Sequence, residues 1–230
     1  MRLNIEFLMI LIFTHLMADY VFQTSKIAEN KAKSFRGLVI HEIVVLLVST
    51  IILSIYGLIG FLVAVIISIS HFAIDYVKMK TSKFFRFQTV NYLIDQMLHF
   101  GVIILCEYLF RSVVNEPIFE LKHVGFLDYV LIITFMATVI VKVVLADTNR
   151  FKPQNEGFFL KYERIFDCLI ILVVVLTFFN TLVGIITLIL GIVVFYVAEI
   201  KYFKYSKNQI LLKTVLYLII AIAFRFLVNY

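Results

Sequence analysis

Two short stretches of this chain repeat one pattern. Residues 14–21 read Thr-His-Leu-Met-Ala-Asp-Tyr-Val, and residues 70–77 read Ser-His-Phe-Ala-Ile-Asp-Tyr-Val. Each sets a His and an Asp four residues apart inside an apolar run: His15 with Asp19, and His71 with Asp75. On a helix that spacing puts both side chains on one face, one turn apart. Two further apolar segments bring His41 and the pair Asp95/His99. Imidazole with carboxylate is a ligand set for zinc, manganese or iron. The expected metal ligands are therefore His15, Asp19, His41, His71, Asp75, Asp95 and His99. They suffice for one or two divalent ions, or for one ion with outer carboxylates that orient the histidines. Asp19 and Asp95 are also the candidate catalytic groups, a spare carboxylate serving as general base. Gln23, Lys78 and Gln96 on the same segments, with Glu163 and Arg164 further on, are candidate substrate contacts. No cysteine lies near, which disfavours a thiolate site, and the aspartates disfavour haem by placing negative charge against a hydrophobic macrocycle.

The elements that must carry these residues follow from composition. Of 230 residues, 63% are hydrophobic and 16% charged, with mean hydropathy +1.03. A soluble domain is about half apolar and about a quarter charged. Apolar runs of about 20 residues specify membrane helices and not the shorter strands of a barrel. The expected fold is an all-α polytopic membrane protein of eight spans, near 3–22, 37–56, 58–77, 90–110, 126–146, 160–180, 183–203 and 209–228. Residues 1–112 form a four-helix module with the His/Asp site, and 113–230 a second four-helix half. Pro117 and Pro153 both fall between spans, so no proline kink is expected. The first apolar stretch lacks a small-x-small cleavage site and carries His15 and Asp19, so it reads as a span and not a signal peptide.

The net charge of +6 does not point to nucleic acid, because the basic residues lie in short loops. Sixteen Lys and Arg flank the loops after spans one, three, five and seven, against four on the other side. The positive-inside rule places the sixteen in the cytoplasm and both termini outside. His15/Asp19 and His71/Asp75 then sit near the inner ends of their spans, and His41 and Asp95/His99 near the inner beginnings of theirs. All seven share one depth. A charge within a span costs about 2.5–3.5 kcal/mol on insertion scales, so this gathering indicates function.

The repeat extends to Thr24-Ser25-Lys26 and Thr81-Ser82-Lys83, and to His41 and His99. Spans one–two and three–four read as two parallel-repeat hairpins, able to pack about a pseudo-twofold axis along the membrane normal. Other residues take ordinary readings. Tyr20, Tyr76 and Tyr92 suit an interfacial belt. Residues 28–36 suit the membrane surface. Cys106 and Cys168 are packing residues, His123 is solvated, and Lys142 snorkels or neutralises Asp147.

His15-Leu16-x-Ala18-Asp19-Tyr20 with Gln23, Glu29-Asn30-Lys31, His41, His71-x-x-x-Asp75-Tyr76 and Asp95-Gln96-x-x-His99 resemble domain of unknown function family 3307. Its members are uncharacterised, mostly bacterial, membrane proteins. The resemblance covers roughly residues 5–105, implies a membrane module and brings no established activity.

The chemistry expected is metal-dependent hydrolysis of a lipid or lipid-linked substrate at the cytoplasmic leaflet of the cell membrane, with membrane lipid as partner and no nucleic acid. Proton- or metal-coupled transport is the rival, since Asp/His chains in spans serve as relays. The polar residues stop at one depth, which leaves a transport path incomplete. A structural or partner-binding membrane role is the third reading; inter-helix polar contacts contribute about 0.6 kcal/mol each, and seven in one slab exceed what that needs.

Overall fold

The first helix starts at Asn4, whose side chain accepts a hydrogen bond from the Phe7 amide at 3.1 Å. The computed structural model describes residues 4–114, 128, 131–132, 136–147 and 206–228. The expected spans 160–180 and 183–203, with Glu163, Arg164, Cys168 and His123, lie outside the described residues. All regular structure among the described residues is helical. The chain divides into two units, Met1–Leu131 and Ile132–Tyr230. In the second, helices Ala137–Asp147 and Lys207–Val228 pack against each other.

The first unit holds α1 (Ile5–Leu16), α2 (Ser25–Lys33), α3 (Phe35–Leu53), α4 (Gly57–Thr81) and α5 (Gln88–Phe110). Thr24 caps α2 and Ser34 caps α3, each side chain accepting from an amide three residues on. Gly57 turns the chain between α3 and α4 at φ +60°, ψ −137°, a conformation that a residue with a Cβ adopts only under strain. The four long helices close a ring: α1 touches α3 and α5, and α4 touches α3 and α5. The repeated His-x-x-x-Asp helices, α1 and α4, therefore stand at opposite corners, as do α3 with His41 and α5 with His99.

Two helical stretches, 35–84 and 88–110, are long and apolar enough to cross a membrane; the pair Ile5–Val21 and Lys26–Lys33, bent by 90°, makes a third if counted as one. The 35–84 stretch is a hairpin and not one rod. The His41 and His71 rings lie 5.2 Å apart, whereas 30 residues of straight helix would part them by about 45 Å. Taken singly, α3 and α4 measure about 28 Å and about 37 Å, enough for a hydrocarbon core of about 30 Å. Ile51, Leu58, Ile69 and Met97 are among the large apolar side chains on the outside, each more than half exposed.

Inside, the bundle is divided along its length. Phe7, Ile10, Leu11, Leu53, Val63, Ala64, Ile67, Ile103 and Cys106 form an apolar core at one end. The other end begins at Thr14 on α1, Ser68 on α4 and His99 on α5, and there buried polar side chains replace it.

The first helix departs from the expected geometry. Past Leu16 it widens into a π-helical turn, Met17–Val21, and ends there. Within that turn Ala18, Asp19 and Tyr20 are all buried. They continue the buried run Thr14, His15 and Leu16 at the end of α1. The polar line His15, Asp19, Gln23 is cut short as a result: Gln23 lies beyond the helix end, half-buried.

Candidate metal centre

The polar end of the ring gathers all seven sequence-predicted ligands. His15 and Asp19 come from α1 and its π turn, His41 from α3, His71 and Asp75 from α4, and Asp95 and His99 from α5, each at most 7% exposed. The ring centroids of His71 and His99 stack at 4.1 Å, and His15 lies 5.0 Å from His99. One Asp75 oxygen is 3.5 Å from His41 Nε2, and its other is 3.9 Å from His99 Nε2. The i, i+4 pairs stay together, with Asp95 Oδ1 3.5 Å from His99 Nε2 and Asp19 Oδ2 4.0 Å from His15 Nε2.

Two members were not among the candidate site residues read from sequence. Glu42, buried beside His41 on α3, bonds His71 Nδ1 at 2.9 Å, while Asp19 Oδ1 lies 3.1 Å from His71 Nε2. Each ring nitrogen of His71 thus faces a carboxylate oxygen. The signal for Glu42 was present, since a carboxylate inside an apolar span carries the same insertion cost as Asp19. Lys31 is the second. It donates to Asp75 Oδ2 at 2.8 Å and to His41 Nε2 at 3.1 Å. Residues 28–36 therefore do not simply rest on a membrane surface: α2 packs on α3 and sends Lys31 into the cluster, while Lys33 and Glu29 pair at 2.5 Å on its exposed side. Burial pushes the Lys31 ammonium toward neutrality, but Asp19 and Asp75 outweigh it and hold its pKa above the usual lysine value.

The predicted substrate contacts have varied surroundings. Lys78 donates to Asp95 Oδ2 at 2.6 Å, and Gln96 Nε2 donates to the same oxygen at 3.1 Å. Gln96 Oε1 in turn accepts from Tyr20 at 2.9 Å, and the Tyr20 and Tyr92 hydroxyls are hydrogen-bonded to each other. Tyr20 and Tyr92 are 4% and 8% exposed and so are not belt residues, a correction that follows from their hydroxyls being needed inside; Tyr76, at 39%, is exposed. Gln96 and Lys78 thus hold Asp95 in place. Gln23 Oε1 is buried without a hydrogen-bond partner among the described residues.

The donor set suits a divalent cation. Three groups, His15/His71/His99, His41/Glu42/His71/Asp75 and Asp75/Asp95/His99, each bring ligand atoms within 4.8 Å of one another. His15 Nε2, His99 Nε2, His41 Nδ1, Asp95 Oδ1 and Glu42 Oε2 are buried without a hydrogen-bond partner among the described residues. Each such atom costs about 1–3 kcal/mol unless something binds it. Four carboxylates, Asp19, Glu42, Asp75 and Asp95, face two ammoniums, Lys31 and Lys78. The excess of two negative charges equals one divalent ion, or two protons shared among the imidazoles.

Comparison with known proteins identifies the chain. A family model described as Protein of unknown function (DUF3307) matches residues 7–127, more than half of the chain. No curated protein and no solved structure matches it. The chain belongs to the DUF3307 family.

Proposed function

We propose that this DUF3307 protein is a membrane-embedded, metal-dependent hydrolase acting on a lipid or lipid-linked substrate at the cytoplasmic leaflet. The observation that carries the reading is the set of buried, unbonded donors, His15 Nε2, His99 Nε2 and Asp95 Oδ1, gathered at one end of the helical ring. The finer topology belongs to the same reading: eight spans, both termini outside, the cluster just below the inner face.

When bound, a zinc, manganese or iron ion supplies Lewis acidity and lowers the pKa of a coordinated water to about 7. The chain's own residues do the rest. His99 would hold the ion, with His15 on one side and Asp75 and Asp95 on the other, in the groups whose ligand atoms come within 4.8 Å of one another. Asp19, one oxygen against His71 and the other 4.0 Å from His15, accepts a proton. His71 shares it with Glu42, 2.9 Å away on α3. Lys78 and Gln96 fix the Asp95 carboxylate, and Gln23 faces the arriving substrate.

The division of the interior favours hydrolysis over transport. Phe7, Leu11, Val63 and Ile103 pack at the opposite end of the ring, and the buried Glu107 there accepts from the Asn4 amide at 2.7 Å. A relay across the membrane would need a continuous polar line, and among the described residues these apolar side chains stand between Glu107 and the cluster.

The test is elemental analysis of the purified protein with His99→Ala and Asp95→Ala. Wild type should carry one or two metal ions per chain, and both variants should lose at least nine-tenths of the metal. Equal content in all three would end the metal reading. Product release from a lipid-phosphate or lipid-amide panel in detergent supports the hydrolase; ion flux into sealed vesicles without product refutes it in favour of transport.

A further inference from the structure

One of the cluster's three candidate ligand groups already faces a cation of the chain itself. Lys31 Nζ lies 2.8 Å from Asp75 Oδ2 and 3.1 Å from His41 Nε2. Both atoms belong to the group His41/Glu42/His71/Asp75. The other two members of that group are bonded to each other, Glu42 Oε1 with His71 Nδ1. Each side chain in this group is therefore engaged through at least one atom, though His41 Nδ1 and Glu42 Oε2 have no partner among the described residues, and an ammonium stands against His41 and Asp75, where a metal would. On the opposite flank, His15 Nε2, His99 Nε2 and Asp95 Oδ1 have no hydrogen-bond partner among the described residues, in side chains no more than 4% exposed.

The backbone is built to deliver that ammonium. A Cβ at Gly37 would lie 2.2 Å from the Asn30 carbonyl oxygen and 2.8 Å from the Lys31 amide nitrogen. Those are backbone atoms and cannot swing aside, so only glycine lets α2 sit this close to α3. His41 lies one turn further along α3, on the same face. The contact that seats the Lys31 backbone on Gly37 also aims its side chain at His41.

We propose that Lys31 is a tethered cation occupying the His41–Asp75 position, so that the chain takes a single divalent ion, at His99, where the groups His15/His71/His99 and Asp75/Asp95/His99 meet, and that withdrawing Lys31 opens a second metal position. This rests on the metal reading above and fixes its stoichiometry.

The experiment uses the full chain in detergent, stripped with chelator and dialysed against zinc or manganese. Wild type should take one ion per chain. Lys31→Met, which keeps the stem and removes the charge, should take two. Gly37→Ala, which lifts α2 without altering any ligand, should also gain a second ion, and Lys31→Arg should stay at one. Two ions in wild type, or one in Lys31→Met that elutes as a folded species, overturns the proposal. If Lys31→Met and Gly37→Ala both fail to fold while wild type holds one ion, the proposal is also overturned, because Lys31 is then a structural ion pair whose place no metal takes. No ion in wild type instead defeats the metal reading itself.

Discussion

Glu42 is the residue whose contribution is easiest to isolate. It touches the cluster through one atom pair, its Oε1 on His71 Nδ1 at 2.9 Å, and is buried with that partner. Glu42→Ala strips the ring nitrogen of its partner inside the protein and should lower stability by about 1–3 kcal/mol. Denaturant unfolding in detergent measures this, and an unchanged midpoint would mean that water replaces the carboxylate. Seven members of the buried cluster were legible from type and spacing alone, because a charge inside an apolar run is conspicuous. Lys31 was legible only as part of the Glu29-Asn30-Lys31 motif, with no place in the cluster. It lies in a polar segment where lysine is ordinary, and only its long stem and the Gly37 crossing bring it among the ligands. The pairing of Tyr20 with Tyr92 and Gln96 was hidden for a related reason. An amphipathic ring near a span end fits an interface or a buried network equally well, and only three-dimensional partners decide between them.

The first four helical segments could be read from their apolar runs, and the observed bounds of α3, α4 and α5 lie within a few residues of expectation at most ends. The π turn at Met17–Val21 could not. A π turn shifts each backbone hydrogen bond by one residue and leaves the side-chain pattern almost unaltered, and no proline or glycine marks the place. Its consequence is concrete: it faces Asp19 and Tyr20 inward together, so one turn serves both the ligand set and the hydrogen-bond line to Asp95. The α3–α4 hairpin depends on a different device. Gly57 adopts φ +60° and a Cβ there would meet nothing within 4 Å, so its role is conformational and not steric. Gly57→Ala should therefore cost about 1–3 kcal/mol of stability through backbone strain. Position 57 is 14 residues from His71, about 21 Å along α4, so metal content should be unaltered. Loss of metal in a folded Gly57→Ala protein would show that the hairpin turn sets the cluster's register.

For the molecule as a whole, the charge distribution makes a claim that the ring alone does not. Lys78, Lys80, Lys83 and Arg86 follow the polar end of α4, while the α3–α4 turn at Ser54–Tyr56 beside the apolar end carries no charge. Juxtamembrane cations are drawn to the anionic inner leaflet at about 1 kcal/mol each, and short loops rich in them stay in the cytoplasm. The cluster and the basic loop after α4 thus share one side, and under the proposed topology a substrate would reach the cluster from the inner leaflet or the cytosol. Two exposed positions separate the sides, Ser54 at the apolar end and Lys83 at the polar end. With Cys106 and Cys168 replaced by Ser, Ser54→Cys should react with a membrane-impermeant maleimide in intact cells. Lys83→Cys should react only after the membrane is opened. The reverse pattern would put the His/Asp cluster at the outer leaflet and exclude the proposed cytoplasmic-leaflet substrate, while leaving the proposed ligand set and stoichiometry untouched.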